Sequence, residues 1–424
     1  MLQISYIREF RDEVIRRLAV KNYQAGDIVS QIISLDEKRR ETQKTLDDGL
    51  AEANQAAKEI GGLFQKGMAS EANALKEKTA RIKEQTRELS AQLDEIISQM
   101  NDLLVQIPNL PHSSVKPGHS AADNEVVFEW GQIPELEPDA QPHWELAGKY
   151  DIIDFDLGSK VTGAGFPFYK GQGAKLQRAL INFFLEEAIA AGYTEFQPPL
   201  FVNEDSAYGT GQLPDKDGQM YTMTVDKLYA IPTAEVPVTN IYRDVILKHS
   251  ELPVKNVAYS SCFRREAGSY GKDVRGLNRL HQFDKVEIVQ ISHPDKSYET
   301  LEEMRNHVGS LLQKLELPFR IVRLCGGDMS FTSALTYDFE VYSAAQKRWL
   351  EVSSVSNFEN FQANRMKLRY KDEDGKMKLA HTLNGSALAL PRVVAALLEN
   401  NQVKDGIRIP AALAKYTHFE IIRK

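Results

Sequence analysis

Long apolar segments are missing from this 424-residue sequence. None of its hydrophobic runs approaches the roughly 18 residues that a membrane-spanning helix needs. The N-terminal stretch MLQISYIREFRDEVIRR places acids and arginines where a signal peptide would have a continuous apolar block. We therefore expect a soluble, cytoplasmic protein with no membrane partner.

Cysteine is scarce, since Cys262 and Cys325 are the only two in the sequence. Two cysteines are too few for a disulfide framework or a cysteine-rich zinc site, and they suit a reducing compartment. A convincing Ser/His/Asp or Cys/His set for nucleophilic catalysis is also lacking. We therefore expect no zinc, and chemistry that needs no protein nucleophile.

An excess of positive charge is absent as well, because 52 Lys and Arg residues face 59 Asp and Glu residues, a formal net charge of -7. A nucleic-acid-binding protein normally shows a surplus of Lys and Arg, so any such contact must be local. The composition, 42% hydrophobic and 26% charged, is that of a globular protein. The length exceeds what one core usually supports, which predicts more than one domain.

Two heptad-like stretches occupy the first quarter of the chain. Apolar and small residues recur at alternating spacings of four and three from Ile28 to Ile60 and again from Leu75 to Leu103. Between them, GGLFQKGMAS supplies glycines that interrupt a helix. The pattern predicts an antiparallel coiled-coil hairpin over about 27–104. As a pattern it fits a dimerisation coiled coil as well as a recognition arm.

We place the N-terminal domain at 1–106. After it, the composition and the hydrophobic pattern of the sequence change twice. Residues 107–142 are rich in proline and histidine, which is typical of a linker. From 143 to 424, helical stretches alternate with β segments, and Pro198 and Pro199 in TEFQPPLFV suit an edge or interface strand. We predict an α+β fold there, with a mainly antiparallel sheet and flanking helices.

A basic stretch broken by glycines, FRREAGSYGKDVRGLNRLHQFDKVE, lies in the middle of the chain. Strand alternation puts Arg264 and Glu266 on one face, and likewise Phe283, Lys285 and Glu287. The loop between them contributes Gly268, Gly271, Lys272, Arg275, Gly276 and Arg279. A guanidinium holds a phosphate by paired hydrogen bonds, and glycines let the backbone fold over a ligand. The stretch predicts a nucleotide site, although a charged surface hairpin would look the same.

A possible phosphate site follows in HTLNGSALALPRVVAALLENN. There a polar segment runs into a helix that opens with Pro391, a residue favoured at the first helical position. Arg392 beside it would help the helix N-terminus to hold an anion. A surface arginine on an ordinary amphipathic helix would give the same pattern.

Two more segments combine glutamates with hydroxyl groups. TAEVPVTN sets Thr233 and Glu235 in a short turn, and LEVSSVSN places Glu351 near Ser353 and Ser354. Such groups bind an ammonium or a magnesium ion. Each segment by itself is as readily a satisfied polar loop or strand end.

These segments resemble a known family when they are taken together, in this order and behind a long helical hairpin. TAEVPVTN, CFRREAGSYGKDVRGLNRLHQFDKVE, LEVSSVSNFENFQANR and HTLNGSALALPR are similar to those of bacterial-type seryl-tRNA synthetases, over nearly the whole chain. The resemblance implies the antiparallel sheet of a class II synthetase and a homodimer whose interface includes the PPLFV strand. It implies that ATP and L-serine form seryl-adenylate. It also implies that serine tRNA, bound by the arm, accepts the seryl group, as would selenocysteine tRNA where present.

The resemblance also implies a role for each site residue. Arg264 would bind the α-phosphate of ATP and the serine carboxylate, with Glu266 on the adenine amino group and Phe283 stacked on adenine. Arg279 and Arg392 would face the outer phosphates, and Arg264 and Arg392 would be catalytic. The remaining assignments are Arg265, Val352 and Ser353 for ATP, Glu351 and Ser354 for ATP and Mg²⁺, and Thr233, Ala234, Glu235, Glu287 and Ser386 for serine.

The sequence departs from the family pattern at a few positions. Arg265 stands where a small residue is common, Val355 where cysteine is frequent, and Pro391 where glycine is frequent, and QANR replaces a segment that often has two arginines. None of these departures removes a residue with an implied chemical role. Strict alternation puts Glu351 and Ser354 on opposite faces of a strand. The two residues could therefore bind one Mg²⁺ ion only if a bulge or a strand end lies there, and we expect one.

Other functions stay open at this stage. A class II ligase that acts on another acceptor would keep the catalytic motifs but lack the long arm. A synthetase for another amino acid is a second alternative, although a threonine enzyme would be expected to carry a Cys/His zinc site. A non-catalytic tRNA-binding paralogue would be expected to lose Arg264, Glu266 or Arg392, all of which are present.

Overall fold

The structure is a computed structural model that describes residues 1–267 and 275–424. It divides into two compact units. The first comprises Met1–Ala19 and Tyr23–Pro108, and the second comprises Val20–Asn22 and Asn109–Lys424. In the part of the chain described, no helix is long and apolar enough to cross a membrane.

Helices make up the N-terminal part of the chain. They are α1 (Ile4–Glu9), α2 (Arg11–Val20), α3 (Gly26–Gln65) and α4 (Ala69–Leu104). At 1.5 Å per residue, α3 and α4 are about 60 and 54 Å long. They run antiparallel, because Glu52 of α3 pairs with Lys78 of α4 at 2.7 Å and Gly49 packs against Thr86. The predicted helical hairpin is confirmed.

The seam of the hairpin follows the predicted heptads closely in α4. Its buried residues include Thr79, Ile82, Thr86, Leu93 and Met100. In α3 the seam begins one residue later than predicted, since Val29 rather than Ile28 is buried. Gly61 and Gly62 continue α3, and the turn falls at Gly67, whose φ of 73° suits a residue without a Cβ.

One large sheet organises the second unit. Its strands are β1 (Glu125–Trp130), β2 (Thr194–Phe196), β3 (Val254–Phe263), β4 (Gln282–Ser292), β5 (Phe319–Arg323), β6 (Leu335–Ser343), β7 (Arg348–Asn357) and β8 (His381–Ala389). Their order across the sheet is β1-β5-β6-β7-β8-β4-β3-β2. Only the β2–β3 pair is parallel among these neighbours. The predicted α+β class and mainly antiparallel sheet are confirmed.

Two sequence expectations differ locally from this sheet. β1 lies inside 107–142, which the composition marks as a linker, and it pairs antiparallel with β5. The segment TEFQPPLFV is not one strand, because β2 ends at Phe196 and a separate short strand begins at Phe201. Pro198 and Pro199 lie between them and cannot donate to a strand ladder.

Short elements and helices complete the second unit. The helices are α5 (His143–Lys149), α6 (Phe155–Val161), α7 (Gly171–Ala190), α8 (Glu204–Thr210), α9 (Glu235–Asn240), α10 (Ser297–Lys314), α11 (Phe361–Met366), α12 (Leu390–Asn400) and α13 (Ala411–Thr417). The short strands are Ile153–Asp154, Phe168–Tyr169, Phe201–Val202, Thr222–Met223, Leu228–Ala230, Ile246–Lys248, Arg369–Lys371, Met377–Leu379, Gln402–Val403, Gly406–Arg408 and Ile421–Ile422.

The main core lies where α7, α10 and α12 pack against the sheet. Strand β6 shows how the sheet separates core from site, because Leu335, Tyr337, Phe339 and Val341 are buried in the core. Asp338 alternates with them and points to the other face. Burying a Phe or Leu side chain stabilises the fold by roughly 1.5–3 kcal/mol, so this alternation determines which face carries the polar groups.

Candidate active site

The hairpin of β3 and β4 brings the first predicted site residues together. Phe263 pairs with Gln282 in the antiparallel ladder, and β3 ends there. Arg264 and Glu266 therefore lie just beyond the strand, and Glu266 has a φ of 49°. The expectation that strand alternation aligns these two residues is wrong, because neither is in a strand. A turn places them instead.

Arg264 and Phe283 are in direct contact in this turn. The Arg264 guanidinium lies 5.2 Å from the centroid of the Phe283 ring, and its Nε donates to the Pro232 carbonyl oxygen at 3.4 Å. The backbone N–H of Arg264 donates to the His281 carbonyl oxygen at 2.9 Å. The guanidinium thus lies over one face of the aromatic ring, in a cation–π contact.

The charged residues of the loop between β3 and β4 have partners in different places. Glu266 forms an ion pair with Arg279. Arg275 is engaged elsewhere, since it pairs with Glu145 at 3.2 Å and stacks on Trp144 at 4.7 Å. Arg275 is therefore not brought to the site. The predicted loop residues Gly268, Gly271 and Lys272 lie outside the described residues.

A buried polar pocket forms where α9 meets β4 and β8. Glu287 of β4 is directly opposite Ser386 of β8 in the sheet. The Oε2 atom of Glu287 accepts hydrogen bonds from Thr233 Oγ1 at 3.2 Å and from Ser386 Oγ at 3.4 Å. The Glu235 N–H donates to Thr233 Oγ1 at 3.1 Å. Four of the predicted serine-binding residues therefore lie together.

The local structure around Glu235 differs from the expected turn. TAEVPVTN forms helix α9, which begins at Glu235, with Ala234 buried at the N-cap position. A carboxylate at the first helical residue is favoured by the helix dipole. Here the carboxylate is also buried, so the short helix holds it inside the pocket.

Two residues without a predicted role contact these carboxylates. Lys285 Nζ lies 2.6 Å from Glu287 Oε2, and both side chains are almost fully buried. Gln362 Nε2 donates to Glu235 Oε1 at 2.7 Å. Alternation along β4 placed Lys285 on the correct face, but nothing in the local sequence pointed to Gln362. Its contact arises only because α11 packs near α9.

The pKa of Glu235 is raised to about 7, first by burial and second by repulsion from Glu287. Hydrogen bonding by Gln362 and attraction by Lys285 oppose this shift. The pocket therefore holds more negative charge than it can fully compensate. Such a pocket attracts a small cationic group, because a cation would relieve the repulsion.

A β-bulge shapes the neighbouring polar cluster on β7. Ser353 pairs with Phe339 of β6 and Glu351 pairs with Glu340, which leaves Val352 as an extra residue. The bulge returns Glu351 and Ser354 to one face, where Ser354 Oγ donates to Glu351 Oε1 at 3.4 Å. The bulge expected between these two residues is confirmed.

Asp338 adds a third acidic or hydroxyl group to this cluster, since it lies opposite Ser354 in the β6–β7 pair. The pKa of Asp338 is raised well above its usual value, first by burial and then by the charge of Glu351. Its Oδ1 atom has no hydrogen-bond partner among the described residues. Two carboxylates and a hydroxyl are hard oxygen donors of the kind that Mg²⁺ prefers.

No group of three or more His, Cys, Asp or Glu residues within 1–267 and 275–424 could hold a metal ion as an all-protein site. Mg²⁺ normally needs no such cage, because one or two carboxylates suffice when phosphates supply the other ligands. The donor set at Glu351 and Ser354 fits that type of site.

Arg392 connects this cluster with the basic loop. It is the third residue of α12, and Pro391 is the second, one position later than predicted. Arg392 Nε donates to the Asn278 carbonyl oxygen at 2.9 Å and Nη1 to the Glu351 carbonyl oxygen at 2.8 Å. The same Nη1 lies 3.6 Å from Glu351 Oε2. The predicted phosphate residue Arg392 therefore contacts the predicted metal residue Glu351.

Two of the residues predicted to bind ATP, Val352 and Ser353, direct their side chains elsewhere. Val352 is buried in the core, and Ser353 Oγ donates to the Ser386 carbonyl oxygen at 2.6 Å. The Arg265 N–H donates to the Gln219 carbonyl oxygen at 2.9 Å, and its side chain is exposed. Backbone atoms are what Val352 and Ser353 can offer to a ligand.

Family models match most of the chain. The seryl-tRNA synthetase N-terminal domain matches residues 1–111, and the class II core domain of tRNA synthetases (G, H, P, S and T) matches residues 221–401. The serine–tRNA ligase of Salinibacter ruber is 52% identical over 421 residues, which cover 99% of this chain and 98% of that protein. The serine–tRNA ligase of Akkermansia muciniphila is 46% identical over 425 residues, 100% of this chain and 99% of that protein.

Solved structures agree with these relatives. The crystal structure of seryl-tRNA synthetase from Pyrococcus horikoshii complexed with ATP matches with a TM-score of 0.92 at 33% identity, and the match covers 100% of this chain and 99% of that one. Cytoplasmic serine–tRNA ligase from Naegleria fowleri in complex with AMP matches with a TM-score of 0.87 at 26% identity, with coverage of 100% and 99%. With its hairpin, its class II sheet and relatives that match along its full length, this chain belongs to the seryl-tRNA synthetase family.

Proposed function

We propose that this chain is a serine–tRNA ligase, which activates L-serine with ATP and transfers the seryl group to serine tRNA. The observation that carries this proposal is the buried pocket of Thr233, Glu235, Glu287 and Ser386. Arg264 directly follows β3, which pairs with β4, and Arg392 lies in α12, which directly follows β8. The pocket offers negative charge and hydroxyl groups, and the arginines offer positive charge. Serine and ATP need this combination.

The pocket suits the two polar ends of serine. The serine ammonium would lie against the Glu235 carboxylate, and its hydroxyl would reach Glu287 and Ser386. A site that pairs a substrate hydroxyl rejects an analogue without one, because buried groups would be left unpaired. Alanine would therefore be a poor substrate, whereas the exclusion of threonine would depend on steric rejection of its extra methyl group.

Charge neutralisation drives the first step. The serine carboxylate attacks the α-phosphorus of ATP, and pyrophosphate leaves. Arg264 would hold the carboxylate and the α-phosphate together, and Arg392 would face the outer phosphates. Fixed cations that meet developing negative charge lower such a barrier without a protein nucleophile.

Nucleotide recognition would involve a rearrangement of one ion pair. Phe283 would stack on adenine, Glu266 would accept from its amino group, and Arg279 would face the outer phosphates. Glu266 and Arg279 now pair with each other. Opening of this pair on ATP binding would exchange one ion pair for two ligand contacts.

Magnesium would be held by Glu351 and Ser354 together with phosphate oxygens. When bound, Mg²⁺ would neutralise phosphate charge. The hydroxyl of Ser354 is already directed at Glu351, so the two ligands are pre-arranged. Zinc is not part of the proposal, because a Cys/His zinc site has no candidate in the sequence.

The acceptor in the second step would be serine tRNA, and also selenocysteine tRNA where present. The terminal ribose hydroxyl of the tRNA would take the seryl group from the adenylate. The hairpin of α3 and α4 supports this assignment, because a ligase that acts on another kind of acceptor would not need it. We also propose a homodimer whose interface includes Phe201, which is 49% exposed.

The decisive experiment is ATP–pyrophosphate exchange with purified protein, Mg²⁺ and no tRNA. Serine, threonine, alanine and glycine are compared as substrates. Exchange that depends on serine, with little or none for the other three, is the expected result. Exchange with a different amino acid would overturn the substrate, and no exchange from folded protein would leave a binding function instead.

A further inference from the structure

The basic loop returns to β4 through residues 275–281, here called the return limb. It has no regular helix or strand. It carries Arg279, and its Asn278 carbonyl oxygen accepts the hydrogen bond from Arg392 Nε at 2.9 Å. The position of the return limb therefore determines where both phosphate arginines stand. Contacts from other elements must hold it in place.

A buried histidine of α5 makes the closest of these contacts. The Leu277 N–H donates to His143 Nε2 at 2.8 Å. A Cβ atom at Gly276 would lie 2.2 Å from the same nitrogen, and Gly276 has a φ of 67°. Glycine at 276 is thus required both by its backbone conformation and by the approach of the ring. The side chain of His143 has no exposed surface.

The hydrogen bond from Leu277 fixes the protonation state of the ring. Nε2 accepts, so it carries no proton, and the neutral imidazole must carry its proton on Nδ1. The Nδ1–H group donates a hydrogen bond to Glu399 Oε1, which lies 2.7 Å from Nδ1. The carboxylate thereby selects the tautomer that the loop needs. Three other hydrogen bonds hold Glu399, from Ser343 Oγ, from Gln346 Nε2 at 2.9 Å and from the backbone N–H of His143 at 3.0 Å.

Glu399 is ionised although it is buried. Burial opposes ionisation, but hydrogen bonds from His143 and Ser343 outweigh it and keep the pKa of Glu399 below its usual value. A removed partner would leave a buried charge or donor unsatisfied, which is unfavourable in a buried site. The network is therefore stiff, which a positioning role requires.

Helix α12 supports the return limb at two adjacent residues. Arg392 in its first turn contacts Asn278, and Glu399 two turns later acts on Leu277 through His143. Residues two helical turns apart share a side of the helix. A second route joins the same groups, because Asn278 Nδ2 donates to Gln346 Oε1 at 3.0 Å.

We propose that His143 is a positioning residue for the ATP site, which holds the return limb so that Arg279 and Arg392 meet the outer phosphates. The inference rests on the proposed function, because it assumes that these arginines bind ATP. His143 itself touches no substrate and transfers no proton. Substitution of a histidine that only stabilises the fold would weaken the binding of serine and of ATP alike. Substitution of a positioning residue would weaken the binding of ATP.

Two substitutions separate the two nitrogens of the ring. In His143→Gln an amide oxygen can replace Nε2 as the acceptor for Leu277. In His143→Asn an amide nitrogen can replace Nδ1 as the donor to Glu399, but the acceptor is lost. We expect His143→Asn to weaken equilibrium binding of Mg²⁺-ATP, measured by calorimetry, by about tenfold. His143→Gln should recover most of that affinity.

The exchange assay supplies the second readout. In His143→Asn the KM for ATP should rise by about tenfold while the KM for serine stays within about twofold. Tyr193→Phe is the matched control, because it removes another buried hydrogen bond, from Gln290 Nε2 to Tyr193 Oη at 2.7 Å, in the same unit. It should lower the melting temperature without changing the affinity for ATP.

Three results would overturn the positioning role. They are unchanged ATP affinity in His143→Asn, equal losses in the Asn and Gln variants, and a parallel rise of both KM values. The proposed function can fail separately. If the wild-type protein binds ATP but shows no exchange with serine, the ligase assignment is overturned, and the calorimetric comparison of the variants still decides the role of His143.

Discussion

Ser354 Oγ lies 3.4 Å from Glu351 Oε1, although the two residues are three apart on a strand and regular alternation would point them in opposite directions. The extra residue, Val352, reverses the alternation and sends its own side chain into the core. The bulge is therefore a feature of the site. It joins a carboxylate and a hydroxyl close to Arg392, whose Nη1 lies 3.6 Å from Glu351 Oε2.

Magnesium dependence should report this pair. Ser354→Ala removes one oxygen donor, and we expect the Mg²⁺ concentration for half-maximal pyrophosphate exchange to rise by about fivefold, since one such contact contributes about 1 kcal/mol. Ser356→Ala is the control on the same strand, because Ser356 Oγ is bonded to Thr336 Oγ1 at 2.9 Å in a buried position. Identical Mg²⁺ curves for the two variants would argue against Ser354 as a ligand.

Adenylate formation should depend on Arg264. Arg264→Ala leaves the phosphate and carboxylate charges uncompensated, and we expect kcat/KM for exchange to fall by about 10²–10³-fold, as when a preorganised donor is removed. Arg264→Lys should recover only part, because an ammonium cannot make paired contacts. Arg408→Ala, at an exposed strand position, serves as control. Near wild-type exchange in Arg264→Ala would remove this residue from the mechanism.

Stability should depend on pH through Glu235. Its pKa is about 7 in the folded protein against a usual value of 4.5, so the folded state binds more protons between these values. The free energy of unfolding therefore falls as pH rises through this window, by at most about 3 kcal/mol. Glu235→Gln should be more stable than wild type at pH 8, and the difference should vanish near pH 5. Thermal melts across this range measure it, and a difference that is independent of pH would contradict the shift.

Serine binding should show the opposite trend with pH. The ammonium of serine pairs with ionised Glu235, so the KM for serine should fall as pH rises from 6 to 8. In Glu235→Gln the KM should be at least about tenfold higher and much less dependent on pH, because the charge is gone. A wild-type KM that is flat across this range would show that Glu235 is already ionised or does not meet the ammonium.

Truncation of the hairpin should separate the two steps. Glu52 and Lys78 pair across α3 and α4, so replacement of residues 54–76 by a short glycine turn keeps the helices in register. We expect serine-dependent exchange to stay within about twofold of wild type, because the deleted residues belong to the first compact unit and the predicted site residues to the second, and aminoacylation of serine tRNA to fall by at least about tenfold. Unchanged charging would show that the tip does not recognise tRNA.

The heptads of α4 could be predicted well because burial along a helix repeats regularly, and Thr79, Ile82 and Thr86 are buried where the pattern places them. A single strand over TEFQPPLFV was predicted wrongly, because the two prolines cannot donate to a strand ladder and the segment forms two short strands instead. The prediction that Glu266 lies in a strand with Arg264 is also wrong, because the strand ends at Phe263 and a turn follows it. The chemistry of the side chains indicates which residues belong to the site, but the backbone turn determines where those side chains point.

The amino-acid sequence by itself determined the helical hairpin, the α+β class and the residues that carry charge and hydroxyl groups, because periodicity and side-chain chemistry are local properties. Only the tertiary structure decided which of them meet. Gln362 contacts Glu235, and Glu399 acts on the return limb through His143, across 127 and 256 residues of chain respectively. Such contacts depend on how helices pack against the sheet, and no short-range pattern encodes that packing.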